Sequence, residues 1–314
     1  MAMPKFVFEY YQTKYGMFQG KTYEEANVAL KLIKSIYGLK QAGRDWYKTI
    51  DPFIISLDFK RCVHDPCTYV KGNRLDKVII VLFVDDMLIA AKRMEDLFRI
   101  RRLIAEEFKM SAQDLSQYLG IQVSVDQSRH KIGISSEQYT RKMLLKFDIP
   151  ANPTATTPMF SSDKKKLKAR LPDEPAADID LYRSAACSIM YNIQTTRVDA
   201  AYAANVCARY LSNPGQTHLE AVIRCLQYLN NTVNKQITYQ PPTDPLMLHQ
   251  LYAYTDASHQ DHPETQKTTS GYVIYLNDGP ISWRVKLSTR VYKSPCHSEY
   301  NALFETFNEE LFAT

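Results

Sequence analysis

The stretch at residues 77–92, K-V-I-I-V-L-F-V-D-D-M-L-I-A-A-K, contains the pattern around which the rest of the chain is organised. Seven apolar residues, 78–84, precede Asp85 and Asp86, and five more, 87–91, follow them. Val and Ile favour strands over helices. Two acidic residues between two such runs therefore predict a β-hairpin with adjacent carboxylates at its tip.

Adjacent carboxylates at a hairpin tip repel each other, which costs stability unless a cation neutralises them. Mg²⁺ takes oxygen ligands and is often held by one or two carboxylates together with substrate phosphates. The pair Asp85 and Asp86 is thus a candidate magnesium site. The alternative is a polar turn that is acidic without binding anything, because short motifs have a high false-positive rate.

Length and composition indicate an ordinary globular protein. The chain has 314 residues, of which 45% are hydrophobic and 23% charged. This is enough for two domains with sizeable cores and excludes a disordered chain. The formal net charge is +5. Residues 246–314 contain five Lys/Arg and eight Asp/Glu, against 34 and 26 in residues 1–245, so the first part is suited to a polyphosphate partner.

The six cysteines show no disulfide framework. Cys62, His64 and Cys67 are spaced like part of a metal site, but no second pair follows, and buried free thiols are the preferred interpretation. No signal peptide or bilayer-spanning run is present. We therefore expect an intracellular protein, cytoplasmic or nuclear. The basic run 164–170 is either a nuclear import signal or a solvated tether.

Two sequence boxes resemble a known family. F-V-D-D at 83–86 resembles the Y-x-D-D box of reverse transcriptases. S-I-Y-G-L-K-Q-A-G-R-D-W-Y at 35–47 resembles the S-L-Y-G-L-K-Q-x-x-R-x-W-Y box of Ty1/copia-type retrotransposon polymerases. The resemblance covers roughly residues 30–310. It implies a Pol polyprotein, reverse transcriptase followed by RNase H, which we expect to be truncated at both ends.

The resemblance implies an α+β fold: a partial polymerase palm with thumb and connection helices, followed by an incomplete RNase H-like mixed sheet. The expected divisions are the palm and start of the thumb at 1–148, a linker at 149–180, a helical connection at 181–245, and the N-terminal part of an RNase H-like domain at 246–314. The first catalytic strand is expected to be missing, because no Asp precedes Asp45.

The resemblance also implies site residues. The nucleotide- and nucleic-acid-binding candidates are Gly38, Lys40, Gln41, Arg44, Tyr118 and Gly120, the last two within a Y-L-G-I element similar to one that grips the primer end. For the first four the alternative is a solvated helix face, which for Arg44 is as good an explanation as phosphate contact.

A second candidate centre lies near the C-terminus. L-Y-A-Y-T-D-A-S-H, T-T-S-G-Y, I-S-W and S-E-Y-N-A-L resemble, in order, boxes of the copia RNase H domain. Asp256 and Glu299 match two of its metal carboxylates. Such a site needs acids around two Mg²⁺ ions, and Glu305 and Glu309, further along the same predicted helix, are poor substitutes for the remaining one.

Two functions follow from the resemblance. The first is RNA-directed DNA polymerisation by two-metal nucleotidyl transfer. It would use Mg²⁺, an RNA or DNA template-primer and nucleotides. We expect the isolated chain to be inactive unless missing Pol segments act in trans. The second is a non-catalytic nucleic-acid-binding remnant. An incomplete RNase H sheet would also expose an unpaired edge and apolar surface, which predicts poor solubility of the isolated chain.

Periodicity predicts the remaining elements. We expect a helix from Leu30 with a break at Gly38 and a turn near Pro52. His218 is expected to be a packed or capping residue. The other predictions are a helix over 94–108, a strand over 117–123, a hairpin over 123–134, and helices over 137–147, 181–210 and 218–230.

Overall fold

The structure is a computed structural model that describes residues 5–26, 35–36, 38–73, 76–150, 152–159, 167–242, 244, 248 and 250–313. Its contacts divide the chain into two compact units, one within residues 1–112 and one within residues 113–314. Each unit has its own apolar core. Both contain helices and antiparallel strands, as the α+β prediction requires.

The first unit contains one antiparallel sheet whose strands follow in chain order. These are β1 (Lys60–Arg61), β2 (Thr68–Lys71), β3 (Val78–Phe83) and β4 (Asp86–Ala91). The helices are α1 (Lys5–Tyr15), α2 (Tyr23–Ala26), α3 (Ala42–Ser56) and α4 (Met94–Glu107). The predicted hairpin is confirmed, since β3 and β4 pair up to Phe83 opposite Asp86, which leaves Val84 and Asp85 as the turn.

The core of the first unit lies between this sheet and helices α3 and α4. Alternate residues of β3 point inward, because side chains on a strand alternate between faces. The helices contribute residues at a spacing of four, which places them on one side of each helix. The side chains that pack together and are almost completely buried include Ile50, Ile54, Val78, Ile80, Leu82, Ile100 and Ile104.

The prediction for the helix before the hairpin is partly wrong. Its expected start falls at residues 27–34 and Tyr37, outside the described residues. Helix α3 begins at Ala42 and runs through Pro52, where a turn was expected. Proline removes one backbone hydrogen bond and crowds the preceding turn. Here the burial of Ile50 and Ile54 outweighs that local cost.

Residues 5–26 form the helices α1 and α2, joined by a turn, and contain no strand, although the family resemblance places the first catalytic strand in this part of the chain. The aromatic residues there pack on one another. Phe8 is buried, stacks on Phe18 at 5.0 Å and meets Tyr23 edge-on at 5.7 Å between ring centroids. The early aromatic residues therefore build a small local cluster.

The second unit begins with another antiparallel sheet, ordered β5-β6-β7-β8. Its strands are β5 (Gln117–Tyr118), β6 (Ile121–Asp126), β7 (Lys131–Ser135) and β8 (Ile237–Tyr239). The hairpin predicted over 123–134 is confirmed. The single strand predicted over 117–123 is wrong, because Leu119 and Gly120 adopt φ of 50° and 82° and turn the chain back between β5 and β6.

Helices form the core of the second unit. They are α5 (Glu137–Lys146), α6 (Ile179–Thr195), α7 (Ala201–Ala208) and α8 (Gln216–Asn231). The helix predicted over 181–210 is in fact broken between α6 and α7 by a 3₁₀ turn, Val198–Ala200. Arg197 lies at the break with a non-helical backbone, and its buried guanidinium pairs with Asp199.

The described end of the basic run, residues 167–170, is packed against these helices, so the solvated-tether interpretation is wrong for it. The hydroxyl of Tyr210 donates to the carbonyl of Leu167 at 2.7 Å. The prolines prevent a helix here, but they do not prevent burial of apolar side chains. Residues 160–166, with part of the basic run, lie outside the described residues. The buried side chains of the predicted linker are Ala155, Leu167 and Ala177.

The expectation that His218 is a packed, capping residue is confirmed. It is buried, and its ring stacks on Tyr210 with 4.0 Å between centroids. Nδ1 accepts the backbone N–H of Gly215 at 2.8 Å, so Nε2 carries the proton and donates to the carbonyl of Lys168 at 2.8 Å. Burial lowers the pKa of His218.

The expectation of buried thiols is only partly right. Cys207 and Cys225 are buried in the helical core, and burial raises the pKa of both thiols. Cys187 and Cys296 are exposed. Helical periodicity predicts which residues share a face of a helix, but it does not predict which face another element covers, and so it cannot tell a buried thiol from an exposed one.

A three-stranded sheet with β10 in the centre ends the second unit. Its strands are β9 (Leu251–Ser258), β10 (Thr269–Leu276) and β11 (Gly279–Leu287), and helix α9 (Pro295–Ala313) packs on β9 and β10. The prediction of a mixed sheet is wrong for the described strands, because both pairs are antiparallel. Along α9 an apolar stripe is exposed: Tyr300, Leu303, Phe304 and Phe307.

Among the described helices, none combines the length and the apolar character needed to cross a bilayer.

Candidate active site

The two predicted carboxylates lie at the exposed tip of the β3–β4 hairpin. Asp85 is in the turn, and Asp86 is the first residue of β4. Both side chains are exposed, and neither makes a hydrogen bond or ion pair with another described residue. Two neighbouring carboxylates with no internal counter-charge are oxygen donors that a hard divalent cation can use.

The first turns of α3 lie beside this tip. The indole Nε1 of Trp46 donates a hydrogen bond to the carbonyl oxygen of Val84 at 2.6 Å. One turn earlier, a Cβ placed on Gly43 would lie 4.0 Å from Cγ1 of Val84. The structure thus brings together the two sequence boxes through residues that lie 38 positions apart in the chain.

The nucleotide-binding candidates of the first unit lie at this end of α3. Lys40, Gln41 and Arg44 are exposed, and Gln41 is the N-cap of the helix. Gly38 has a φ of 91°, a conformation that glycine adopts without strain. The partial positive charge of a helix N-terminus favours anions. Together with two cationic side chains it makes this end of α3 suited to phosphate.

Helix α3 is anchored by a partly buried ion pair. Arg61 Nε and Nη2 donate to the two carboxylate oxygens of Asp51, each at 2.6 Å, and the hydroxyl of the fully buried Tyr69 donates to the same carboxylate at 2.9 Å. The hydrogen bond from Arg61 is the main reason that the pKa of Asp51 is lowered. These bonds tie the helix that carries Trp46 to the edge of the sheet.

Tyr118 and Gly120 belong to the second unit, at the turn between β5 and β6. The hydroxyl of Tyr191, on α6, donates to the carbonyl of Leu119 at 3.4 Å. A Cβ on Gly120 would come within 3.2 Å of that hydroxyl, so the turn and Tyr191 are in close contact. The ring of Tyr191 rests on Tyr139 at 4.5 Å. Two helices therefore support the predicted primer-contacting turn.

Asp256 and Glu299 do not meet on one face of the C-terminal sheet. Thr255 faces helix α9, because its hydroxyl accepts a hydrogen bond from Thr306 of that helix at 3.0 Å. Successive residues on a strand point to opposite faces. Asp256 therefore points away from α9 and lines a cavity of about 390 Å³ together with Tyr202 and other residues. Glu299 is exposed on α9 itself.

No cluster of three or more His, Cys, Asp or Glu side chains suited to a metal ion occurs in the part of the chain that the structure describes. The hairpin pair, Asp85 and Asp86, therefore has no third such ligand beside it among these residues. The Cys62, His64 and Cys67 group, considered from its spacing, is not such a cluster either.

Sequence reasoning missed the role of Trp46 in the site. Its place in the box at 35–47 suggested a motif residue, and its spacing suggested helix packing. Neither signal could show that its indole N–H reaches the hairpin turn, because that contact depends on how α3 crosses the sheet.

Comparison with known proteins identifies the family. Residues 12–161 match the family model described as "Reverse transcriptase (RNA-dependent DNA polymerase)". This match includes both the box at 35–47 and the Asp85–Asp86 hairpin. No solved structure matches the chain.

Several Pol polyproteins are similar to most of the chain. The Retrovirus-related Pol polyprotein from transposon TNT 1-94 of Nicotiana tabacum is 33% identical over 293 residues, which cover 91% of this chain and 22% of that protein. The corresponding protein from transposon RE2 of Arabidopsis thaliana is 30% identical, over 89% of this chain and 18% of that protein. The chain thus spans about a fifth of the length of these relatives.

A shorter relative matches over most of both chains. The putative transposon Ty5-1 protein of Saccharomyces cerevisiae is 27% identical over 281 residues, 89% of this chain and 89% of that protein. With the family match at 12–161 and the geometry of the hairpin, these similarities agree on one assignment. The chain belongs to the family of copia-type retrotransposon Pol polyproteins and carries their reverse transcriptase-like domain.

Proposed function

We propose that the chain serves RNA-directed DNA polymerisation by two-metal nucleotidyl transfer, with the hairpin of Asp85 and Asp86 as half of its metal-binding site. The observation that carries this proposal is the hydrogen bond between Trp46 and Val84. It joins the cationic, phosphate-suited end of α3 to the acidic hairpin tip within one compact unit. Acids for a divalent cation and bases for phosphate on adjacent elements are what nucleotide binding requires.

The hairpin pair fits a divalent cation in its chemistry. Reverse transcriptases normally use divalent metals, and Asp85 and Asp86 offer exposed carboxylate oxygens that no described residue pairs with. When bound there, Mg²⁺ would supply Lewis-acid stabilisation of charge on phosphate oxygens. Because no third ligand lies beside the pair among the described residues, we propose that the chain alone does not extend a primer and needs a carboxylate from another Pol segment.

The other candidates take the roles that the family resemblance implies. We propose that Lys40, Gln41 and Arg44 hold nucleotide and template phosphates at the end of α3, with Gly38 allowing the chain to pass closely. Charge-assisted bonds from Arg44 would fix phosphate orientation. We propose that Tyr118 and Gly120 contact the primer end.

The domain assignment follows the same resemblance. We propose a palm and the start of a thumb in residues 1–148 and a connection in residues 181–245, although residues 113–148 pack within the second unit. We propose an RNase H-like part in residues 246–314, with Asp256 and Glu299 as its remaining acids. Since these two side chains lie on different faces, we expect no cleavage of an RNA–DNA hybrid by this chain alone.

Primer extension and metal binding test the proposal together. The chain has two tryptophans, so a proton–nitrogen spectrum shows two indole signals, which the Trp46→Phe and Trp283→Phe variants assign. Paramagnetic Mn²⁺ at the hairpin should broaden the Trp46 signal, because the indole N–H of Trp46 contacts the hairpin turn. Asp85→Asn/Asp86→Asn should abolish the broadening.

A matched control removes an adjacent exposed acid pair elsewhere in the same unit, Glu106→Gln/Glu107→Gln, and should keep the broadening. Primer extension on a homopolymer template with Mg²⁺ or Mn²⁺ should give no product above that of the Asp85→Asn/Asp86→Asn variant. Absence of Mn²⁺ broadening of the Trp46 signal in the native chain, or broadening that persists in Asp85→Asn/Asp86→Asn, would overturn the metal role of the hairpin. Incorporation that depends on Asp85 and Asp86 would overturn the proposed need for a further segment.

A second candidate function is nucleic-acid binding without catalysis, which the charge distribution favours. Residues 1–245 hold 34 basic and 26 acidic residues, whereas residues 246–314 hold five and eight. Backbone binding of this kind weakens steeply with salt and shows little sequence preference. Template-primer binding that falls with salt and survives Asp85→Asn/Asp86→Asn, without Mn²⁺ broadening, would favour this second function.

A further inference from the structure

The turn that presents Asp85 is strained. Val84 is the first of the two turn residues and has a φ of 53°. This left-handed conformation is unfavourable for a β-branched side chain, and glycine is usual where hairpin turns require it. A strained backbone persists only where its surroundings hold it. The turn therefore requires a support from outside the hairpin.

Trp46 provides a contact of that kind. Its indole N–H donates to the carbonyl of Val84, the strained residue itself, at 2.6 Å. The indole is in turn held by the core: it meets Phe108 edge-on at 5.2 Å, and Phe108 meets Phe53 edge-on at 5.1 Å. The donor is thus fixed in place by packing that does not involve the hairpin tip.

We propose that Trp46 is a positioning residue, which holds the Val84–Asp85 turn in its strained form so that the two carboxylates keep a constant separation and direction. The effect of Trp46 on metal binding rests on the function proposed above, whereas its mechanical role, holding the Val84–Asp85 turn, does not. Without the indole N–H, the exposed carbonyl of Val84 would turn to water, and the tip would relax into several conformations. Asp85 and Asp86 would then bind a cation less well.

Hydrogen exchange of the full chain tests the mechanical role without any metal. In Trp46→Phe, amides of the hairpin tip should exchange about tenfold faster, the upper range for one lost hydrogen bond. In a Val84→Gly background, where the turn is no longer strained, the same change should accelerate exchange less than about threefold. Trp283→Phe removes an equivalent indole bond, to the carbonyl of Ile193 at 2.7 Å, and should leave the tip unchanged.

A second variant guards against misfolding of Trp46→Phe. In a Trp283→Phe background, biosynthetic replacement of tryptophan by 3-benzothienylalanine exchanges the N–H of residue 46 for sulfur and keeps the bicyclic shape. It should accelerate exchange at the tip as Trp46→Phe does, while amides of β2 in the same sheet remain protected. An unchanged tip in this variant overturns the proposal.

Mn²⁺ binding distinguishes this proposal from the proposed function. It is measured by electron paramagnetic resonance, in which the signal of free Mn²⁺ decreases as the ion binds. Trp46→Phe should weaken Mn²⁺ binding about tenfold, and Val84→Gly should recover most of that loss. Equal effects of Trp46→Phe on exchange in both backgrounds would overturn the positioning role. A third outcome is that Trp46→Phe accelerates exchange at the tip and Val84→Gly reduces this acceleration, while the native chain shows no Mn²⁺ binding that depends on Asp85. This outcome would support the positioning role and overturn the metal site.

Discussion

Replacing Asp199 by Asn should destabilise the second unit, because Asp199 is the acceptor for two buried side chains, Arg197 and Tyr228. Arg197 is only 2% exposed, and its Nε and Nη2 donate to the two oxygens of Asp199, each at 2.9 Å. The hydroxyl of Tyr228 donates to the same carboxylate at 2.6 Å. These bonds join the break between α6 and α7 to α8, so their loss should be felt across the helical core.

The size of the effect follows from the pKa of Asp199. Burial raises this pKa, but the bonds from Arg197 and Tyr228 outweigh burial and bring it from an ordinary 3.8 to about 2. At about 1.4 kcal/mol per pKa unit, the ionised carboxylate contributes about 2 kcal/mol to the free energy of unfolding. Asp199→Asn also leaves Arg197 buried without a counter-charge, a change that costs about 3–5 kcal/mol in other proteins. Because the side chain of Asp199 is 27% exposed, the full cost of breaking a buried pair does not apply, and we expect a loss of about 2–4 kcal/mol at neutral pH.

Urea unfolding followed by the fluorescence of Trp283, in a Trp46→Phe background, measures this loss within the second unit. The exposed Glu220→Gln on α8 is the control and should change the free energy of unfolding by less than about 0.5 kcal/mol. Because the folded pKa is depressed, the contribution is present above pH 4 and disappears as the pH falls from about 4 to about 2. A loss below about 1 kcal/mol at pH 7, or one that persists undiminished at pH 2.5, would refute the reasoning.

Two further predictions concern buried groups of the same unit. N-ethylmaleimide should label Cys187 and Cys296 quickly in the native protein, but Cys207 and Cys225 only after unfolding. Burial shields the last two thiols and raises their pKa. Rapid labelling of either buried thiol in the native protein, measured by peptide mass, would contradict the fold. Burial lowers the pKa of His218, so between the two pKa values the unfolded chain binds a proton more readily than the folded chain does. The melting temperature should therefore fall as the pH drops below about 6.5, and it should fall less in His218→Asn. An equal pH dependence of the melting temperature in both proteins would contradict this role of His218.

Local patterns predicted much of the secondary structure and failed where tertiary packing overrode them. The hairpin of β3 and β4 and the helix α4 follow directly from runs of Val and Ile and from apolar residues at helical spacing. Pro52 inside α3 and the turn at Leu119–Gly120 did not follow. At Pro52, burial of the apolar face of α3 outweighed the lost backbone hydrogen bond. At Leu119–Gly120, the alternating pattern of apolar residues continued through the turn and therefore did not predict it.

The candidate site was predictable in its residues but not in its geometry. Asp85 and Asp86 were placed correctly at a hairpin tip, because a strand–acid–strand pattern is local. The relation of Asp256 to Glu299 was not predictable. One is on a strand and the other on a helix, and the direction of each depends on which face of the sheet the helix covers.

The sequence by itself determined the family, the acidic hairpin and the amphipathic helices, since each depends on residues close together in the chain. Only the tertiary structure decided that Trp46 reaches the turn at Val84, that Arg197 is buried against Asp199 and Tyr228, and that Asp256 points away from α9. The physical reason is that hydrogen bonds and burial between distant segments depend on how helices cross sheets, and a one-dimensional period of 2 or 3.6 residues carries no information about that crossing.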